Sequence, residues 1–121
     1  MLNMAKVIAK NSGVHYKTVI RSSSNELFAD EPENNGGHDE GFSPEELLAS
    51  ALASCTCITL RMYADRKKWK LEDVEAEVDF SFNNELNKST IQRKIKLTGD
   101  LSEAEKKRLY IIAEKCFVHK V

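Results

Sequence analysis

Hydrophobic and polar positions change period along this chain, and the changes divide it into elements. Val7 and Ala9 alternate with Lys6 and Lys10, a turn signal follows at Ser12-Gly13, and Val14, Tyr16, Thr18 and Ile20 resume the alternation. With a further turn at Ser22–Ser24 and a short run Glu26–Ala29, this predicts a three-stranded antiparallel start over residues 5–29. Asp30–Phe42 is polar and rich in Gly, Asn and acid, so it reads as a loop; its length and its position before the next element suit the lining of a site. From Ser43 the period becomes helical. Ser43 is a good N-cap, Pro44 fits the first helical position, and Glu46 completes a capping box. Leu47, Leu48, Ala51, Leu52, Cys55, Ile58, Thr59 and Met62 then follow the 3, 4 spacing of one wide face, predicted to be buried. Arg61, Arg66, Lys67 and Lys68 crowd the negative end of that helix.

Alternation returns at Val74, Ala76, Val78, Phe80 and Phe82, and again at Ile91, Ile95 and Leu97 across a polar turn, which predicts a hairpin broken at Gly99-Asp100. Ser102 and Glu105 repeat the capping box, and Leu109, Ile112, Ala113 and Cys116 continue at helical spacing. The predicted order is βββ-α-ββ-α: an α+β fold with antiparallel sheets packed on a long central helix and a second helix.

Composition narrows the class. The 121 residues fit a single domain, and 41% hydrophobic with 31% charged residues supports a core. A net charge of -1 leaves no broad footprint for nucleic acid. No uninterrupted apolar run reaches bilayer length, and the first ten residues lack a signal-peptide pattern, so neither membrane nor export is expected. Three cysteines without an export signal point to reduced thiols in the cytoplasm rather than to a disulfide framework.

The cysteines are the main candidates for chemistry. Cys55 and Cys57 are two residues apart, hence about 200° apart around a helix, which opposes a disulfide or shared metal between them. All three thiols read equally well as small buried hydrophobes. A zinc site from Cys55, Cys57, Cys116 and His119 has suitable ligand types but the wrong helical geometry, so no metal or other cofactor is expected. His15 and His38 stand isolated in the sequence, and the cations from Arg66 to Lys70 read as a solvated helix end.

Several stretches carry a resemblance: D-E-P-E at Asp30–Glu33, Gly36-Gly37, G-F-S-P-E-E-L-L-A-S-A-L-A-S-C-T at Gly41–Thr56, T-L-R-M-Y-A-D-R-K-K-W at Thr59–Trp69, and E-K-C-F-V-H-K at Glu114–Lys120. In this order, over nearly the whole chain, they resemble the OsmC/Ohr family of thiol-dependent peroxidases. The resemblance implies an intertwined homodimer with active sites at the subunit interface. It makes Cys55 the peroxidatic cysteine, Cys116 the resolving cysteine, and Glu45 an acidic residue ordering the site. Arg21, the only arginine before residue 61, is the candidate for the arginine that activates the thiolate. Cys57 has no counterpart. Phe117 stands where the family has proline, and the chain ends where relatives continue into a final strand.

The implied activity is reduction of organic hydroperoxides through a sulfenic acid on Cys55, a Cys55–Cys116 disulfide, and reset by a dithiol reductant. Leu48, Leu52 and Phe42 would favour organic peroxides. Glu45 and Cys55 lie about 15 Å apart along a straight helix, so a contact between them is expected to cross the dimer interface. The competing expectations are a redox sensor or binding protein on the same fold, and a structural protein with inert thiols.

Overall fold

The computed structural model describes residues 4–115, so Cys116, Phe117 and His119 lie outside the described residues. Backbone proximity divides the chain into two compact units, 1–47 and 48–121. The elements run β1 (Ile8–Asn11), β2 (Thr18–Arg21), β3 (Glu26–Ala29), a short 3-10 turn (Glu33–Asn35), α1 (Pro44–Lys67), β4 (Lys70–Asn83), β5 (Lys88–Asp100) and α2 (Glu103–Ala113). This is the predicted βββ-α-ββ-α order.

In the first unit β1, β2 and β3 form an antiparallel sheet in sequence order. The second strand begins four residues later than the alternation from Val14 predicts. The Asn11 side-chain amide donates to the carbonyls of His15 (3.2 Å) and Lys17 (2.9 Å), and its Oδ1 accepts from Gly13 N–H. That local network, with His15 at φ 47°, bends Val14–Tyr16 into a turn where side-chain alternation alone would continue the strand.

The following loop is organised by Asp30. Its buried carboxylate accepts from the amides of Glu31 (2.8 Å), Glu40 (3.1 Å) and His38 (3.2 Å). Burial works to raise its pKa. The amide donors of Glu40, Glu31 and His38, helped by the nearby His38 ring, outweigh that and hold the carboxyl below its ordinary value. Gly37 is buried beside it, and a Cβ there would stand 1.9 Å from the Glu31 carbonyl oxygen, so no other residue fits this close approach.

In the second unit β4 and β5 form a long antiparallel hairpin. Val74, Ala76 and Val78 on one strand face inward with Leu97, Ile95 and Arg93 opposite them, while Glu75↔Lys96 and Glu77↔Lys94 pair opposite charges on the outer face. A bulge between Leu71 and Asp73 faces Gly99, whose φ of 145° and 2.2 Å hypothetical Cβ approach to the Lys70 carbonyl oxygen require glycine. The Arg61 guanidinium donates to the carbonyls of Leu71 (2.5 Å) and Glu72 (2.6 Å) at this irregularity, tying α1 to β4.

Both long helices begin with the predicted capping boxes, Ser43 with Glu46 and Ser102 with Glu105. The core of this unit is Leu60, Ala64, Leu71, Leu109, Ile112 and Ala113, flanked by Tyr63, Trp69, Val74, Ile95, Leu97 and Leu101. The buried stripe on α1 is therefore Leu52, Thr56, Leu60 and Ala64, at strict four-residue spacing. This corrects the predicted face: Leu48, Ile58 and Met62 are exposed, by 52%, 58% and 62%. The physical reason is that α1 is apolar nearly all round, so periodicity identifies a helix without choosing the side that packs on the hairpin.

By length and composition alone α1 is also apolar enough to cross a membrane, with mean hydropathy 1.4 over 18 residues. One stripe of it packs in the core with β4 and α2, and Arg61 ties it to β4, while 22% of that window is buried.

Candidate functional site

Cys55 lies in the middle of α1, half-buried, at the border between the packed stripe and the exposed apolar one. Its Sγ lies 3.9 Å from Thr59 Oγ1, one turn further on, and either atom can donate. Cys57 faces elsewhere: its thiol donates to the Val74 carbonyl oxygen on β4 at 3.6 Å. The two thiols meet different neighbours, as the helical rotation between them requires. Cys57 thus contacts the hairpin.

Electrostatics at Cys55 cannot come from the helix itself. The macrodipole acts within the first and last turns, and Cys55 sits well inside a 24-residue helix. The next residue along α1, Thr56, is bonded to a buried cation. Arg93 projects from β5 with its side chain only 10% exposed. Its Nη1 donates to Thr56 Oγ1 at 3.0 Å and to the Ala113 carbonyl oxygen at 3.3 Å, and its Nη2 meets Glu114 Oε1 at 3.3 Å. Thr56, fully buried, donates a hydrogen bond from its own hydroxyl to the Leu52 carbonyl oxygen at 2.8 Å. The residue beside Cys55 is thus fixed from both sides.

Sequence reasoning missed Arg93, although a signal was present. It shares the parity of Ile91, Ile95 and Leu97 along β5, so strand geometry directs it inward.

Glu45 is exposed in the first turn of α1, which runs unbroken from Pro44 to Lys67. Arg21 is exposed at the end of β2, and its Nε donates to Glu26 Oε2 at 2.7 Å across the β2–β3 pair. That ion pair engages its charge within the first sheet. At the start of α1, the Asp30 loop and the helix enclose an open recess lined by Asp39, Gly41, Phe42 and Glu46. His15 and His38, isolated in sequence, are brought into edge-to-face contact at 5.1 Å between ring centroids.

A second cluster surrounds Tyr63. Arg108 Nε donates to its hydroxyl at 3.1 Å, and Arg66, Lys67 and Arg108 all stand within 5.9 Å of its ring. The hydrogen bond from Arg108 lowers the phenol's pKa; burial opposes it, and the charges of Arg108, Lys67 and Arg66 add to it.

The antiparallel sheets and two helices make an α+β fold, and comparison with known proteins gives its family. The sequence profile described as OsmC-like protein matches residues 37–121. The chain belongs to the OsmC family. Among solved structures it is similar to an organic hydroperoxide resistance protein OsmC from Legionella pneumophila, at 25% identity and TM-score 0.71, covering 99% of this chain and 89% of that one. It is also similar in fold to an OsmC-like protein from Mycoplasma pneumoniae, at 20% identity and TM-score 0.83, with 99% and 87% covered. The organic hydroperoxide resistance protein OhrB of Bacillus subtilis shares the fold at 22% identity and TM-score 0.65, with 99% and 90% covered. A search of curated proteins gave no match.

Proposed function

We propose that this protein is a thiol-dependent peroxidase that reduces organic hydroperoxides, working as a homodimer in the cytoplasm. The observation that carries the proposal is Cys55: a half-buried thiol on the main helix of an OsmC-family chain, bordered by exposed apolar side chains. A related structure at 25% identity is named for organic hydroperoxide resistance, which supports the substrate class.

The chemistry balances with the residues assigned. The Cys55 thiolate attacks the terminal oxygen of a hydroperoxide, the O–O bond breaks, and the alkoxide leaves and takes a proton to become an alcohol. Cys55 is oxidised to the sulfenic acid. The Cys116 thiol then attacks that sulfur, water leaves, and a Cys55–Cys116 disulfide forms. A dithiol reductant returns both cysteines to thiols and is itself oxidised to a disulfide. Cys57, bonded to Val74, takes no part.

A second copy of the chain suits what one copy leaves uncovered. Leu48, Ile58 and Met62 form an exposed stripe on α1, and residues 81–91 at the distal end of the hairpin are all exposed, including Phe82, Leu86 and Ile91. Apolar area of this kind is characteristic of an interface. A partner seated there would bring its own Glu45 to a Cys55 that the same chain's helix keeps about 15 Å away.

The test is turnover of cumene hydroperoxide with dithiothreitol. Wild type consumes it catalytically and faster than hydrogen peroxide, and Cys55→Ser does not. Equal consumption by Cys55→Ser would rule the proposal out, and a single oxidation without turnover would favour a sensor on the same fold.

A further inference from the structure

Arg93 is a costly residue to bury. On its strand face it replaces the apolar side chains that the hairpin presents at Ile95 and Leu97, and a guanidinium withdrawn from water costs several kcal/mol unless its donors are met. Its acceptors are not on its own sheet. They are Thr56 on α1, one residue past Cys55, and Ala113 and Glu114 at the end of α2, two residues before Cys116 in the chain. The Glu114 carboxylate is 62% exposed, so this ion pair adds little by itself; the buried hydroxyl and carbonyl acceptors define the geometry. A planar fork can hold two separate segments at a fixed spacing, which a single ammonium cannot do.

We propose that Arg93 is a positioning residue for the thiol pair, fixing the turn of α1 that carries Cys55 against the end of α2 from which the chain continues to Cys116. The proposal rests on the assignment of Cys55 and Cys116 as the reacting pair. It assigns Arg93 to the second step, in which the Cys116 thiol displaces water from the Cys55 sulfenic acid, rather than to the attack on peroxide.

The experiment measures pairing and simple reactivity separately. Disulfide formation between Cys55 and Cys116 is followed by mass spectrometry after treatment with diamide, a thiol oxidant that needs no peroxidase activity, and separately with cumene hydroperoxide. Alkylation of Cys55 by iodoacetamide in the reduced protein is the control for exposure. Arg93→Met is expected to slow pairing about tenfold or more, in line with the loss of one buried charge-assisted hydrogen bond, while alkylation changes less than about threefold. After hydroperoxide the sulfenic acid persists and becomes trappable by dimedone. Arg93→Lys restores charge without the fork and recovers pairing only in part. Thr56→Val, which removes one acceptor and leaves Arg93 in place, keeps the test usable if Arg93→Met does not fold.

Pairing and alkylation changing together, or no pairing in wild type with diamide, overturns the inference. If wild type pairs under diamide and depends on Arg93 but consumes no hydroperoxide, the inference stands and the peroxidase reading falls.

Discussion

Thr56 accepts a hydrogen bond from Arg93 at 3.0 Å, joining the residue beside Cys55 to a buried cation on β5. The contact links an inward strand position to the centre of the main helix, across 37 residues of sequence. Replacing Thr56 with the isosteric valine leaves a buried guanidinium N–H without this acceptor. We expect a loss of about 1–3 kcal/mol in chemical denaturation. Ser54→Ala, on the exposed side of the same turn, should cost well under 1 kcal/mol and serves as the control. Equal effects would show that the contact carries no weight.

The exposed apolar stripe on α1 predicts self-association. Sedimentation of wild type should give a dimer. Ile58→Glu, which puts a charge in the middle of the stripe without touching the Leu60 core, should weaken it at least about tenfold in Kd. A wild-type monomer, or an unaffected variant dimer, would remove the stripe from the interface.

Asp30 predicts a pH dependence of the loop before α1. Its folded pKa lies below the ordinary 3.8, so its contribution is fully present above that value and is lost as pH falls through the lower folded value. A carbon-detected titration of the Asp30 carboxyl should have its midpoint below 3.8. Asp30→Asn must turn an NH2 group toward either the Glu31 amide or the His38 and Glu40 amides. Hydrogen exchange of those amides should therefore accelerate, even at neutral pH. An unshifted midpoint would contradict the account of the loop.

Much of this was legible from residue order, because the signals are local. The capping boxes at Ser43 and Ser102 mark helix starts, and alternation from Val74 to Phe82 marks a strand, since each depends on neighbours within a few positions. The separate surroundings of Cys55 and Cys57 followed from helical rotation alone. Four features escaped because they depend on distant partners or on competing local bonds. The packed side of α1 is chosen by the hairpin and α2, and an all-round apolar helix does not announce it. The late start of β2 is set by one asparagine side chain. Arg93 had the parity of an inward residue, but arginine is normally read as surface, and its acceptors lie 20 and 37 residues away. The placing of Arg21 beside Glu26 was likewise invisible until strand register put them opposite each other.

The central claim is that Cys55 is the oxidised thiol and Cys116 its partner. It is tested most directly by peptide mapping after one equivalent of cumene hydroperoxide per chain, alongside a thiol count. The account predicts that two of the three thiols disappear, that the linked peptide joins Cys55 to Cys116, that Cys57 remains alkylatable on denaturation, and that a dithiol restores all three. A linkage through Cys57, or a Cys55 thiol that survives the peroxide, would contradict it.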